Sequence, residues 1–471
     1  MANRYLTDTF APVTEELTAF DLDVTGTLPD HLDGRYLRIG PNPDLSAGSP
    51  GEDYHWFAGA GMVHGVRLGE GRAQWYRNRW VRPEGDEFAP NTNVLAHAGT
   101  TMALVEAGSP PYELTEELET VGRCGFAADL AAGYTAHPHE DPATGELHAV
   151  SYSWTRGNQV AYSVLDTAGR VRHQVEVEVA GSPMMHDCAL TEHYVVIYDL
   201  PVTFDIDMVA GKLPRPLRLP ARLGLGRVVG RNPLSDRIVD RLARGSNHAP
   251  SQMPYSWDDD YPARIGLLPR DATGPDAGSA VRWFAIDPCY VFHTLNAFEV
   301  PESGEVVIDA VRHDRMFATD FTGPNEGPAS LVRFTLDLAA GTASEHRFDE
   351  HAQEFPRYDE RLTGQRHRYG YAAGIDVAVP GDRVLKHDTV AGTTQVRELG
   401  RGKEVGEFCF VSSSAEAAED DGVLMGYVHD RPTGRSELRL LDAGTLEDVA
   451  AVHLPGRVPA GFHGNWCPTG G

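Results

Sequence analysis

These 471 residues predict an all-β chain folded as a propeller. Strand-sized apolar runs, regular turn punctuation and length without a linker lead to that reading. AVSYSW (149–154), YVVIYDL (194–200), EVVIDAV (305–311), SLVRFTLDL (330–338) and VLMGYVHD (423–430) are each about one strand long and rich in β-branched and aromatic residues. DPATGE (141–146), PESGE (301–305), EDDG (419–422) and RPTGR (431–435) supply turn residues beside them. The 49 glycines and 32 prolines fit a chain that turns often. No Pro/Gly/Ser-rich stretch divides it, so residues 1–471 are expected to form one unit. A closed barrel of this length would need very long strands, whereas a propeller repeats a four-stranded sheet every ~40–70 residues. No WD or kelch signature is present, so the propeller must be a divergent one.

Composition narrows the function. With 68 acidic and 41 basic residues the net charge is −27, which argues against a nucleic-acid partner, since phosphate recognition needs a basic face. No run approaches ~18 consecutive apolar residues, so no spanning helix is expected. MANRYLTDTFAPVTEEL lacks the layout of a secretory signal, and Cys124, Cys188, Cys289, Cys409 and Cys467 are odd in number and scattered. A reducing cytoplasm is therefore the expected compartment.

One segment breaks both the β pattern and the acidic balance. Residues 211–245 carry Lys212 and eight arginines against Asp236 and Asp240, with Leu234, Ile238, Val239 and Leu242 at helical spacing. Together with its flank, residues 211–250, it reads as a basic amphipathic insertion. Two readings stand: an interfacial helix making peripheral contact with anionic lipid, or a helical excursion packed on the propeller with its arginines solvated.

Four of the 20 histidines stand in unusual company: His137 in TAHPHEDP, His186 in PMMHDCAL, His293 in YVFHTLNAFE and His463 in GFHGNWCP. Each lies in or beside an apolar run, where a polar tip is costly without a partner. Their intervals are 49, 107 and 170 residues, close to one, two and three times about 54. Six such steps imply seven positions around a ring, and the inner strands of different blades can all aim at the axis. Four neutral imidazoles suit iron, zinc, copper or nickel alike. Zinc favours closed four-coordination in structural sites, whereas octahedral iron would keep two positions open for chemistry.

The motif series RYLRIGPNP (35–43), HWFAGAGMVHGVRL (55–68), WYRNRWVRP (75–83), AHPHEDPATGE (136–146), MMHD (184–187), HTLNAFE (293–299), EFPRYDERLTGQRHRYGYA (354–372), GEFCFVSSS (406–414) and GFHGNW (461–466) resembles that of the carotenoid cleavage oxygenases, in order and over nearly the whole chain. The resemblance implies a seven-bladed β-propeller with a cap of helices and loops over an axial iron site. It implies one non-haem Fe(2+) per chain, held by His137, His186, His293 and His463, with His139 left out. It further implies that Glu106, Glu354 and Glu407 orient three of these histidines, an arrangement that fixes tautomer and ring plane and raises ligand basicity. The implied reaction is cleavage of a conjugated carbon–carbon double bond by O2 as co-substrate, giving two carbonyl products from an apolar polyene, a carotenoid or apocarotenoid. Phe57 matches a pocket position. Val105 stands where stilbene-cleaving relatives carry a lysine for the phenol, so a polyene is favoured over a stilbene. A stilbene or phenylpropene oxygenase, a propeller that only binds partners, and an isomerase remain the alternatives, because fold alone does not fix chemistry. Two departures stand out. Ala60 replaces a common Asp and puts a turn in question. Cys188 replaces an aromatic residue, which would widen the cavity or loosen His186.

Overall fold

The computed structural model describes residues 3–45, 51, 52, 54–85, 87–130, 133–235, 238, 253–376 and 379–470. Its strands pair into seven antiparallel blades that follow one another along the chain, with one further two-stranded ribbon. Blade 2 is built from Asn93–His97, Thr100–Leu104, Tyr112–Leu114 and Thr120–Arg123, running outward from the axis. Blade 3 is His139–Asp141, Glu146–Tyr152, Gln159–Leu165 and Val171–Glu178. Blade 4 is Cys188–Leu190, Tyr194–Asp199, Arg264–Pro269 and Arg282–Ala285. Blade 5 is Tyr290–Val300, Glu305–His313, Ser330–Asp337 and Thr342–Arg347. Blade 6 is Gln353–Arg357, Tyr369–Gly374, Arg383–Asp388 and Thr393–Glu398.

The two remaining blades join the ends of the chain. In blade 1 the C-terminal strand Gly464–Pro468 lies innermost, against Gly34–Pro41, followed by Gly61–Gly69, Arg72–Trp80 and Thr18–Phe20. In blade 7 the N-terminal strand Val24–Gly26 is outermost, on Asp448–His453, Arg435–Asp442 and Gly422–Asp430, with Lys403–Val405 and Cys409–Ser412 on the inner edge. Each end thus completes the other end's sheet, and closure removes the open edges a linear stack would present.

The predicted strands and turns fall where the local chemistry puts them. PESGE joins the first two strands of blade 5 and RPTGR the two central strands of blade 7; Gly304 and Gly434 take φ of +69° and +66° there, a region costly for other residues. Apolar residues of neighbouring blades interdigitate. One cluster runs through blades 3, 4 and 5, another joins 7 to 1, and others join 1 to 2, 2 to 3 and 6 to 7. Outer strands such as Thr393–Glu398 are largely solvated.

The histidine spacing does not count blades as expected. His186 precedes the inner strand of blade 4 and His293 lies in that of blade 5, so their 107 residues span one step rather than two. The cause is an insertion, residues 200–263, between the second and third strands of blade 4. It is wider than the expected 211–250. It holds the ribbon Val202–Phe204/Tyr255–Trp257 and the helices α1 (Ile206–Gly211) and α2 (Arg215–Leu225). Of the stripe Leu234, Ile238, Val239 and Leu242, the last two lie outside the described residues, as do 236, 237 and 240–250. Within 211–250, α2 has no buried residue.

A four-histidine candidate metal centre

Seven blades meet at one point. His137 directly precedes the inner strand of blade 3 by one proline, His186 that of blade 4, and His463 that of blade 1, while His293 sits inside the inner strand of blade 5. All four are buried, and one nitrogen from each lies within 4.8 Å of the others. The Nε2 atoms of His293 and His463 are 3.1 Å apart, and the His137 ring centroid is 4.4 Å from that of His186 and 4.5 Å from that of His463.

The remaining three blades orient these rings. Glu106, just past the second strand of blade 2, takes the Nδ1 of His186 at 3.0 Å. Glu354, in the inner strand of blade 6, takes that of His293 at 2.5 Å, and Glu407, between the two inner segments of blade 7, takes that of His463 at 2.9 Å. An ionised carboxylate only accepts, so each of these Nδ1 atoms carries the proton and each Nε2 keeps its lone pair. His137 has no such carboxylate; its Nε2 is buried with no hydrogen-bond partner among the described residues. Lone pairs converging without donors are unfavourable in a buried site unless a cation takes them. The donor set therefore fits a divalent first-row metal, and among the described residues no carboxylate joins the group.

Local backbone geometry aims these groups. Blade 6 bulges between Glu354 and Arg357, and Phe355 takes φ of +55° there, so Glu354 and Phe355 both face the cavity. Ala107, after Glu106, takes φ of +63°. Such conformations cost about 1–3 kcal/mol each and cluster where a side chain must be aimed.

Electrostatics act unequally on the four rings. Burial, reinforced by the other imidazoles, holds His137 far below its ordinary pKa, so it is a free base. Burial also lowers His463, outweighing Glu407, while at His293 the Glu354 carboxylate overrides burial and the ring moves up. Burial opposes the charge on Glu407, yet Arg357, His463 and the Gly464 N–H hold it down to about 2. Glu354 lies well below the usual range because His293 and His313 both overcome its burial.

A cavity of about 430 Å3 opens onto His186, His293 and His463. Phe57 and Val105 line it, and so do Trp56, Phe292, Phe355, Phe462 and Tyr255, which sequence reasoning did not single out. Phe292 packs edge-on to His186 with centroids 5.1 Å apart, and Phe355 stacks on His293 at 5.3 Å. Phe355 and Phe462 were visible only as neighbours of motif residues; His313, also in the wall, has no local signal at all. Its Nε2 lies 3.0 Å from Glu354.

The two departures from the motif pattern resolve differently. The turn at Ala60 is held by main chain and an amide instead: Asn42 N–H donates to the Ala60 carbonyl at 2.8 Å and Asn91 Nδ2 to that of Gly59 at 2.6 Å. Cys188 stands away from the cavity. Its side chain is buried in the core of blades 3–5, with Sγ 3.8 Å from the His137 carbonyl, and it is not among the lining residues.

Known proteins resemble this chain along nearly its whole length. The family model described as retinal pigment epithelial membrane protein matches residues 10–87 and 85–468. A carotenoid cleavage oxygenase of Mycobacterium tuberculosis is 50% identical, covering 99% of this chain and 98% of that protein. A carotenoid 9,10(9',10')-cleavage dioxygenase of Crocus sativus is 31% identical, covering 98% and 88%. The cobalt-substituted apocarotenoid oxygenase of Synechocystis superposes with a TM-score of 0.79 at 25% identity, covering 97% of each chain. On its matched length, its identity to these relatives and its seven-bladed fold, the chain belongs to the carotenoid cleavage oxygenase family.

Proposed function

We propose that this protein is an iron(II)-dependent dioxygenase that splits a conjugated carbon–carbon double bond of a carotenoid or apocarotenoid with O2 into two carbonyl products. The observation that carries the reading is the convergence of four buried imidazoles, with no carboxylate in the group among the described residues, on an aromatic-lined cavity. His137, His186, His293 and His463 would hold the iron, and Glu106, Glu354 and Glu407 would keep three of the rings in register with it. Iron(II) bound there would supply the O2 chemistry that the histidines cannot supply alone.

The rest of the site binds and excludes. Phe57, Phe292, Phe355 and Phe462 offer apolar, flat surface to a polyene and keep water from the reacting carbons. Val105 gives the wall beside Glu106 no cation for a phenolate, which supports a polyene over a stilbene. The relatives' names support the same class: one acts on carotenoids at 9,10(9',10') and another is an apocarotenoid oxygenase. No acid–base step is needed from side chains, because both oxygens of O2 end in the two carbonyls.

A polyene stored in lipid must be extracted, and the insertion offers a means. On α2, Arg215, Arg218 and Arg222 share one face, while Leu217, Leu219 and Leu223 are 52%, 65% and 57% exposed. The same insertion contributes Met253, Pro254 and Tyr255 to the cavity wall. We assign it peripheral contact with anionic lipid. No helix among the described residues is long and apolar enough to cross a membrane, and all five cysteines are buried and unpaired, which suits the cytoplasm.

Metal analysis tests the site. Protein purified anaerobically should bind about one iron per chain, and His186→Ala or His463→Ala should abolish it. Full iron retention in both variants would overturn the assignment.

A further inference from the structure

Asp187 and His139 stand beside the metal ligands, and neither the four-histidine site nor its three glutamates uses them. With Cys188 they form a second group whose donor atoms lie within 4.8 Å of one another. A second metal site is one reading of that cluster, but the carboxylate is already spent. Its Oδ1 accepts from His139 Nε2 at 2.9 Å and from the Cys188 N–H at 2.7 Å, and its Oδ2 accepts from the Thr294 N–H at 2.7 Å. The Cys188 sulfur turns instead to the His137 carbonyl.

The partners of Asp187 fall on three blades, each next to a ligand. His139 lies two residues after His137, Asp187 directly follows His186, and Thr294 directly follows His293. Pairing in blade 5 shifts register on both sides of Thr294, and its N–H goes to Asp187. Thr294 is held from the other side as well, its hydroxyl 2.8 Å from that of Tyr198. One buried carboxylate therefore ties together the three segments that carry His137, His186 and His293, while His463 is held separately through Glu407 and Arg357.

We propose that Asp187 and His139 are positioning residues: a brace across blades 3, 4 and 5 that fixes the separation of three ligands and thereby the affinity and coordination geometry of the metal. The proposal rests on the metal reading of the four histidines but not on the identity of the substrate. Because a carboxylate oxygen is the common acceptor, an amide at position 187 turns one acceptor into a donor and faces it toward an N–H. Because His139 acts through Nε2, a glutamine there can still donate while an alanine cannot.

The experiment is Co(II) binding to the metal-free full-length protein, read by competition with a chelator and by the visible absorption of the Co(II) form. The thermal midpoint without metal serves as control. Asp187→Asn should weaken Co(II) by roughly ten- to a hundredfold and shift the visible bands. His139→Ala should move both in the same direction, and His139→Gln should return both toward wild type. Should Asp187→Asn fail to fold, the His139 pair decides alone, because that side chain is partly exposed at 21%. Wild-type affinity and spectrum in His139→Ala would overturn the brace. So would a weakened affinity with unchanged bands and a matching fall in the metal-free midpoint, which marks a merely structural role. A second Co(II) equivalent lost on Asp187→Asn, with the first unaffected, would overturn it in favour of a second metal site. Loss of polyene cleavage plays no part in the readout, so failure of the proposed reaction leaves the test intact.

Discussion

Replacing Glu407 by glutamine should harm both the fold and the metal site, and replacing Glu106 should harm mainly the metal site. Glu407 accepts from His463 Nδ1 at 2.9 Å and from the Gly464 N–H at 2.7 Å, and the Arg357 guanidinium lies 3.3 Å away. Glutamine keeps one acceptor oxygen for two N–H donors, so one donor is orphaned in the interior at about 1–3 kcal/mol. Arg357 loses its buried counter-charge but keeps Glu360 at 2.6 Å and Asn465 at 2.8 Å, which holds that part of the cost to about 1 kcal/mol. A total of about 2–4 kcal/mol follows. Glu106 accepts from His186 at 3.0 Å and lies beside the buried Tyr152 hydroxyl, so glutamine can keep the bond and lose about 1 kcal/mol or less. Both changes remove a charged acceptor behind a ligand and should each weaken metal binding by about 10–100-fold. Urea unfolding of the metal-free proteins and chelator competition measure the two effects separately. Equal stability losses, or unchanged metal affinity in Glu407→Gln, would refute the reasoning.

Three further outcomes are expected. Val105→Lys places an ammonium beside Glu106 in the cavity wall; cleavage of an apocarotenal should fall about tenfold or more and cleavage of a phenolic stilbene should rise, as chromatography of the products would reveal. Serine at Leu217, Leu219 and Leu223 together should reduce pelleting with anionic vesicles while leaving cleavage of detergent-solubilised substrate intact; unchanged pelleting would count against the lipid contact. Burial lowers His148 to about 3, and it is neutral between Tyr162 and Arg270, so its stabilising contribution is complete above about pH 6.5, the unfolded value, and is lost as pH falls toward 3. Stability should therefore drop by about 1.4 kcal/mol per pH unit for this group below pH 6, and His148→Gln should flatten the profile by one proton.

Much of the site was legible because its information is local. The runs at 149, 194, 305, 330 and 423 became strands, since each carries its own β-branched and aromatic residues between turns. The four histidines and three glutamates sit in short motifs whose strand or strand-end positions decide where they point. Blade counting from histidine spacing failed for a physical reason: an insertion leaves no trace in a sum of intervals, and residues 200–263 stretch one step to the length of two. The Asp187 brace and His313 behind Glu354 were hidden for another reason. Both depend on contacts across blades, and on bulges at Thr294 and Phe355 that no local pattern announces. Cys188 shows the converse, a residue next to a ligand whose side chain faces the core.

The central claim is that iron held by four histidines lets this chain divide a polyene with O2. Its most direct test is mass analysis of the products formed from an apocarotenal by the iron-loaded protein under isotopically labelled O2. Two carbonyl fragments, with masses summing to substrate plus both atoms of one O2, are the predicted result. Unchanged polyene, or an isomer of the same mass, from protein carrying its full complement of iron would contradict it.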